Sequence, residues 1–429
     1  MNISRFVINL GLISILSACS LVRYQPIEPI DTINKNKGYR LEQIVQKSGK
    51  DDVFMMIAFS GGGTRAAALG YGVLNALAQE KIGRQSLLDR IDVVFGVSGG
   101  SVLAAYFSLY GAETIPNFER KFLKQNFQGA VTDRVFSLAN MPRLFSPEFG
   151  RGDLLQEQFE KELFGKTTFA ELAKKRKGPF AVISATEMNS GVRIDFTQDF
   201  FDVMCLNLGD LPIARAVAAS SAVPIIFTPI TLNNHGGRCH YQPPISLQET
   251  AKHYENSHER PYLHLLDGGL TDNLGLRHIL DISEMYGDLS RQSSLVENVR
   301  HLVIISVNAQ NQLKSDIDLS AAVPDTVAMI NAVINVPIDH YSKESLRQFH
   351  KLVDELNQKP LYNRRGQPVT VHFVSLNLQD LPDSALREKV LNIPTTFKLS
   401  AAEINQLKEA AAVLLKQSQE YQQLRRILK

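Results

Sequence analysis

The chain has 429 residues and a mass of 47.8 kDa, enough for one large α/β domain or about two to three smaller ones. Hydrophobic residues make up 44% and charged residues 21%, which excludes a disordered or collagen-like chain. The net charge of +2 is too balanced for a nucleic-acid binder, and no apolar run is long enough to span a membrane.

The first nineteen residues have the organisation of a secretory signal. Arg5 precedes a mostly apolar stretch over residues 6–16, and residues 16–19 read LSAC. The stretch is too short for a transmembrane helix, and small residues before a cysteine suit a signal peptidase. LSAC resembles a bacterial lipobox, which implies cleavage after residue 18, lipidation of Cys19 and an anchor in the cell envelope, in the outer membrane facing the periplasm or the surface. A plain signal peptide with an incidental cysteine is the alternative.

Residues 19–50 are polar and are predicted to form a tether between the anchor and a folded domain over residues 51–429. From residue 53 onward, short apolar runs alternate with helical patterns, as is typical of βαβ units and a mainly parallel sheet. The predicted strands cover residues 53–59, 91–97, 180–185, 263–266, 302–307 and 369–374, and the first two predicted helices cover residues 64–80 and 99–110.

A run of glycines follows the first predicted strand, since residues 60–65 read SGGGTR. Successive glycines let backbone N–H groups turn inward, so the loop can hold a phosphate or an oxyanion. The spacing from Gly61 through Gly63 to Ala66 also fits a dinucleotide-binding fingerprint, which requires an acidic residue at the end of the second strand. That strand runs into Ser98 instead, and we therefore expect an oxyanion loop.

The second predicted strand ends in GVSGG at residues 96–100, and a predicted helix follows. A serine between a strand and a helix is typical of a nucleophile elbow, in which Gly96 and Gly100 leave room for a sharp turn. The helix N-terminus directs N–H groups towards that turn. Because neighbouring parallel strands end at the same edge of a sheet, we expect Ser98 to lie beside the glycine run.

Three later parts of the chain also have apolar patterns. Six phenylalanines after the elbow helix either line an acyl-binding groove or pack in the core: Phe118, Phe122, Phe127, Phe136, Phe145 and Phe149. The run at residues 327–336 is a further candidate wall or lid. Residues 400–429 begin with a capping box, Ser400 and Glu403, and continue in an amphipathic pattern that predicts one terminal helix packed on the body.

Besides Cys19, the chain has two cysteines, Cys205 and Cys239. In an exported protein they either form a disulfide or stay free thiols, and the sequence leaves both possibilities open. His235 and His240 flank Cys239, but their spacing matches no standard zinc site, so no metal site is expected.

A serine nucleophile needs a base within hydrogen-bond reach. Residues 265–269 read LLDGG and place Asp267 at the end of an apolar run, in the same setting as Ser98. Burial would raise the proton affinity of this carboxylate, so that it can take the serine proton directly. The alternative is a Ser-Asp-His triad whose base is one of three downstream histidines, His278, His301 or His350.

Four motifs together resemble the patatin-like phospholipase family: GGGTR at residues 61–65, GVSGG at 96–100, ASSAVP at 219–224 and DGG at 267–269. The resemblance implies a three-layer α/β/α fold with a mainly parallel central sheet, over most of the mature chain. It also implies Ser98 as nucleophile, Asp267 as general base without histidine, and an oxyanion loop of Gly61, Gly62, Gly63 and Arg65. Ser60 and Ala66 depart from the family pattern, although both are small.

The resemblance implies a serine acyl-ester hydrolase that acts on lipid through an acyl-enzyme on Ser98. It implies no metal or organic cofactor and no nucleic-acid partner, and the membrane contact would be the lipid on Cys19. A thioesterase or transacylase using the same two residues, and a lipid-binding lipoprotein without catalysis, are the alternatives. The oligomeric state is left open.

Overall fold

The computed structural model describes residues 22–41, 52–285, 298–312, 317–319 and 321–428. The strands are β1 (Val53–Phe59), β2 (Lys81–Ile82), β3 (Gln85–Ser86), β4 (Ile91–Val97), β5 (Phe180–Glu187), β6 (Arg193–Asp195), β7 (Ile230–Asn233), β8 (Tyr262–Leu266), β9 (His301–Asn308), β10 (Leu361–Tyr362) and β11 (Pro368–Asn377). The α-helices are α1 (Gly63–Gln79), α2 (Gly99–Tyr110), α3 (Thr114–Phe118), α4 (Phe127–Val135), α5 (Met141–Leu144), α6 (Arg151–Phe159), α7 (Phe169–Lys175), α8 (Gln198–Phe201), α9 (Ile213–Ser220), α10 (Ile245–Lys252), α11 (Gly269–Asp272), α12 (Arg277–Met285), α13 (Thr326–Gln358), α14 (Ala385–Leu391), α15 (Ala401–Gln417) and α16 (Gln419–Leu428).

The central sheet has the strand order β10-β11-β9-β1-β4-β5-β8-β7, and β6 also pairs with β5. Its five middle strands, from β11 to β5, run parallel. The other four pair antiparallel at the two sides. Every residue of β1 is buried, which requires cover on both faces of the sheet. The predicted α/β class with a mainly parallel central sheet is therefore confirmed.

The two strands that precede the candidate site residues have the predicted bounds, 53–59 and 91–97. They are parallel neighbours, and Phe59 pairs with Gly96 in the register. Their carboxyl ends therefore meet at one edge of the sheet, where α1 and α2 begin. The last long helix, α15, packs closely on α1, because a Cβ at Gly72 would lie 2.8 Å from the Cβ of Ala411.

The N-terminal segment corrects the predicted tether. Residues 22–41 pack on the body: the Tyr39 ring stacks on Phe180 with centroids 4.0 Å apart, and Arg40 forms ion pairs with Asp199 and Asp202. A polar composition concealed these few anchors, since one buried aromatic ring and one buried ion pair leave no periodic pattern. The predicted signal peptide, Cys19 and the rest of the predicted tether lie outside the described residues.

The predicted C-terminal helix begins where expected, but the structure has two helices there instead of one. The capping box of Ser400 and Glu403 opens α15 as expected. The helix then ends at Ser418, whose hydroxyl accepts a hydrogen bond from the Tyr421 N–H and so starts α16. A serine that caps a new helix breaks the axis without disturbing the apolar pattern, and the predicted single helix is therefore two.

Three of the six phenylalanines have the predicted core role, and a groove-lining role for the others stays a prediction. Phe118, Phe122 and Phe127 are buried in the core, whereas Phe136 and Phe145 are exposed. The run at residues 327–336 lies in the first part of α13, where Val327 and Val333 are exposed. Its role as a wall or lid stays a prediction. No helix among the described residues has the length and apolar character to cross a membrane.

The two cysteines left open by the sequence form a disulfide. Cys205 and Cys239 are bonded, with their Cα atoms 5.7 Å apart. The bond joins the loop after α8 to the loop after β7. Next to it, the Ile30 N–H donates to the Cys205 carbonyl at 2.7 Å, so the N-terminal segment also reaches this corner.

Candidate active site

The nucleophile candidate lies in the turn between β4 and α2. Ser98 has a φ of 51° and a ψ of −123°, a conformation that side-chain-bearing residues rarely adopt. The Ser98 hydroxyl donates a hydrogen bond of 2.7 Å to Oδ2 of Asp267. Both residues are buried. The two residues that the sequence nominated, 169 positions apart, are therefore in direct contact at a strained strand-to-helix turn.

The positions of the three glycines around Ser98 leave no room for a side chain. A Cβ at Gly96 would lie 2.6 Å from the Cβ of Ala104, and one at Gly100 would lie 2.4 Å from the Phe59 carbonyl oxygen. At Gly99 the added atom would lie 1.9 Å from the carbonyl oxygen of Gly63. The elbow and the glycine loop thus touch through backbone alone, which only glycine permits.

The base candidate, Asp267, follows β8 in a turn of its own. The Gly269 N–H donates to Oδ1 of Asp267 at 2.8 Å, so each carboxylate oxygen has one donor. Burial raises the pKa of Asp267 to about 6, although the hydrogen bonds from Ser98 and Gly269 lower it. The carboxylate is therefore ionised at neutral pH and is a stronger base than an exposed aspartate.

The glycine loop presents backbone N–H groups towards the same edge of the sheet. Gly62 and Gly63 have positive φ angles of 132° and 59°, and they are the N-cap and first residue of α1, so helix bonding does not use their N–H groups. The flanking amides are occupied, because Gly61 donates to the Asn273 carbonyl and Thr64 donates to the Thr396 carbonyl. Among the described residues, no backbone acceptor binds the N–H groups of Gly62 and Gly63.

The guanidinium of Arg65, which the resemblance groups with the oxyanion loop, is buried and holds other segments. It donates to the carbonyl of Ala309 at 2.8 Å and to the carbonyl of Ile393 at 2.7 Å. Burial lowers the pKa of Arg65 to about 10, so the group stays charged at neutral pH. These contacts suit a residue that positions the start of α1, and they explain a cation in a first helical turn.

Ser220, within the ASSAVP motif, supports the elbow. Its hydroxyl accepts a hydrogen bond of 2.9 Å from the Ser98 N–H and donates one of 2.6 Å to the Ser184 carbonyl. Two residues later, the Ala222 carbonyl accepts a hydrogen bond from the Asp267 N–H. This motif therefore sets the separation of the nucleophile and the base, a role that the sequence did not assign to it.

Sequence reasoning missed Asn273 altogether. A Cβ at Gly61 would lie 2.4 Å from the Asn273 side-chain oxygen, and one at Gly269 would lie 3.1 Å from it. The amide therefore lies between the oxyanion loop and the base turn. Its only sequence signal is its position six residues after Asp267.

Ser60, which departs from the family pattern, has a structural role at the start of the glycine loop. Its hydroxyl accepts a hydrogen bond from the Ala309 N–H.

The three histidines of the alternative triad are engaged elsewhere. His278 lies 2.7 Å from an oxygen of Asp195, through Nδ1. His301 lies 3.1 Å from a ring nitrogen of His372, and His350 packs against the Phe373 ring. Cys239, which lies between His235 and His240 in the sequence, is bonded to Cys205. The geometry therefore supports a two-residue site of Ser98 and Asp267.

A family model for patatin-like phospholipases matches residues 57–280 of the sequence. Among solved structures, human GIVD cytosolic phospholipase A2 matches with a TM-score of 0.51 at 10% identity, over 94% of this chain and 68% of that chain. The same human enzyme with methyl gamma-linolenyl fluorophosphonate gives 0.44 at 12% identity, over 94% and 66%. VipD from Legionella pneumophila gives 0.31 at 11% identity, over 92% and 73%. No curated protein matches the sequence.

Proposed function

The chain belongs to the patatin-like phospholipase family, and we propose that Ser98 and Asp267 form the catalytic dyad of a lipid acyl hydrolase. The observation that carries this proposal is the 2.7 Å hydrogen bond between the Ser98 hydroxyl and the Asp267 carboxylate. Family membership and the fold shared with a cytosolic phospholipase A2 support a lipid hydrolase.

In the first half of the reaction, the Ser98 oxygen attacks the carbonyl carbon of a fatty-acyl ester. Asp267 takes the hydroxyl proton as the new C–O bond forms. The tetrahedral intermediate then collapses, the bond to the leaving alcohol breaks, and protonated Asp267 returns the proton to that alcohol. The product is an acyl ester on Ser98.

In the second half, water attacks the acyl ester on Ser98 and Asp267 takes one of its protons. The Ser98 oxygen leaves, recovers the proton from Asp267, and the fatty acid is released. In both halves a negative charge develops on the acyl oxygen. The N–H groups of Gly62 and Gly63 support this oxyanion, together with the positive helix ends of α1 and α2.

The direct experiment measures fatty-acid release from a phospholipid and alcohol release from a short-chain chromogenic ester. The expected result is hydrolysis of both without added metal. Parallel assays with a thioester and with an acceptor alcohol separate a hydrolase from a thioesterase or transacylase. A folded sample that cleaves no acyl substrate would contradict the proposal and favour the lipid-binding alternative.

The rate should depend on pH through Asp267. Only the ionised carboxylate can take a proton, and the pKa of Asp267 is raised to about 6. We expect kcat/KM for a soluble ester to be constant above about pH 7 and to fall to about a tenth of that plateau at about pH 5. Circular dichroism at each pH confirms that the fold persists. A flat profile across this range would contradict Asp267 as the base.

We also propose that Cys19 carries the lipid that attaches the protein to a membrane. The wild-type protein should fractionate with membranes and carry a lipid mass on its N-terminal peptide. The Cys19→Ala variant should lack this mass, whereas the matched Ser20→Ala variant should keep it. An N-terminal peptide of wild-type protein without lipid would contradict the anchor.

A further inference from the structure

Apolar side chains are exposed on the segment around α5 and on the loop after α9. These six side chains, which we name the apolar patch, are between 45% and 86% exposed: Phe136, Leu138, Met141, Phe145, Ile225 and Ile226. Single exposed apolar residues are common, but a cluster of large ones on a folded protein marks an interaction surface.

The two parts of the patch are linked through the start of α6. Arg151, at the start of α6, donates to the Ile225 carbonyl at 2.7 Å. One residue further, the Gly152 N–H donates to the Thr228 hydroxyl at 2.9 Å. Since α6 follows the α5 segment directly, these bonds hold the loop of Ile225 and Ile226 against the end of that segment.

The N-terminal segment meets the body at the patch. The Ser146 hydroxyl, next to Phe145, donates to the Val22 carbonyl at 2.7 Å, and the Tyr24 N–H donates to the Glu148 carboxylate at 2.7 Å. Cys19 lies three positions before Val22, and three residues of extended chain span at most about 11 Å. A lipid on Cys19 would therefore hold this part of the surface close to the bilayer.

The loop that carries Ile225 and Ile226 is hydrogen-bonded to the backbone of the candidate base. The Asp267 N–H donates to the Ala222 carbonyl, three residues before Ile225. Ile225 itself has a φ of 74°, a conformation that is rare for a β-branched residue. Its side chain is exposed, so burial does not compensate this strain. Strained backbone of this kind persists where surrounding contacts hold a residue in place for function.

We propose that the apolar patch docks on the surface of a lipid bilayer and takes substrate from it. The inference rests on the proposed function and on the anchor at Cys19. A bilayer suits the patch better than a charged protein partner, because the nearby cations of Arg134 and Arg143 are already paired with Glu157. Large aromatic and aliphatic side chains enter the bilayer interface, and the exposed cation of Arg151 beside Ile225 can meet anionic headgroups.

The experiment uses the full chain with Cys19→Ala, so that no lipid anchor contributes. Phe145→Ser and Ile226→Ser are combined on this parent, and Tyr362→Ser is the matched control. Tyr362 is similarly exposed but lies on β10, at the side of the sheet opposite β7. Flotation measures binding to vesicles of phosphatidylethanolamine and phosphatidylglycerol, and hydrolysis is compared on the same vesicles and on a soluble ester.

The patch variant should lose at least about ten-fold in vesicle binding and in vesicle hydrolysis, because two large apolar side chains no longer enter the interface. Its rate on the soluble ester should stay within about two-fold of the parent, and the Tyr362→Ser control should match the parent in all assays. Unchanged flotation of the patch variant would overturn the inference. So would a dimer of the parent that the patch variant abolishes while flotation is unchanged.

Flotation requires no catalysis, so the two proposals fail separately. A parent that binds vesicles through the patch but hydrolyses nothing would contradict the proposed function alone. A parent that hydrolyses both substrates, with no dependence on Phe145 and Ile226, would contradict the docking surface alone.

Discussion

Replacing Ser98 by alanine should lower kcat for ester hydrolysis by at least about 10,000-fold, because no acyl-enzyme can form without its oxygen. Within the part of the chain that the structure describes, the Ser98 hydroxyl makes one hydrogen bond, to Asp267, so the fold should survive the change. Initial rates on a chromogenic ester and on a phospholipid measure the effect, and circular dichroism confirms the fold.

Ser221→Ala is the matched control for this prediction. Ser221 is also buried and lies one residue after Ser220, which contacts the elbow. Within the described part of the chain its hydroxyl has no hydrogen-bond partner, so we expect its loss to change kcat by less than about three-fold. Activity that survives Ser98→Ala but falls with Ser221→Ala would place the nucleophile elsewhere.

Asp267→Asn should lower kcat by about 1,000-fold to 10,000-fold. Asparagine keeps the shape of the side chain and can still bond to the Ser98 hydroxyl, but it cannot take the proton. Asp272→Asn is the matched control, since Asp272 is a buried carboxylate five positions away. Its oxygens accept the N–H groups of Leu276 and Arg277, so its effect on kcat should be small.

The histidine variants separate a dyad from a triad. Alanine at His301 or His350 should leave kcat within a few-fold of wild type. His278→Ala should act mainly on stability, because His278 contacts the buried Asp195. Loss of kcat with any of these variants, in a folded protein and to the extent seen for Asp267→Asn, would contradict the dyad.

The central part of the fold could be read from the sequence because its signals are local. The strands β1 and β4 are short, continuous apolar runs, and glycines with a serine follow them. Their bounds, and the position of Ser98 beside the glycine run, could therefore be predicted. Asp267 was predictable for a similar reason, although β8 pairs antiparallel with β5. Sequence periodicity carries no information on strand direction.

The remainder of the site could not be predicted because it depends on distant contacts. Thr396 and Ile393 hold the glycine loop and Arg65, yet they lie beyond the residues that the family model matches. Asn273 and Ser220 act through a few hydrogen bonds and close packing, which leave no periodic pattern. The packing of residues 22–41 was hidden for the same reason.

The measurement that tests the central claim most directly is covalent labelling with a fluorophosphonate, read by mass spectrometry of the peptides. Such a probe phosphonylates an activated serine and needs the same base as the ester reaction. We predict one adduct, on the peptide that contains Ser98, which is absent in Ser98→Ala and forms at least about 100-fold more slowly in Asp267→Asn. An adduct on another residue, or labelling of Asp267→Asn at the wild-type rate, would contradict the dyad.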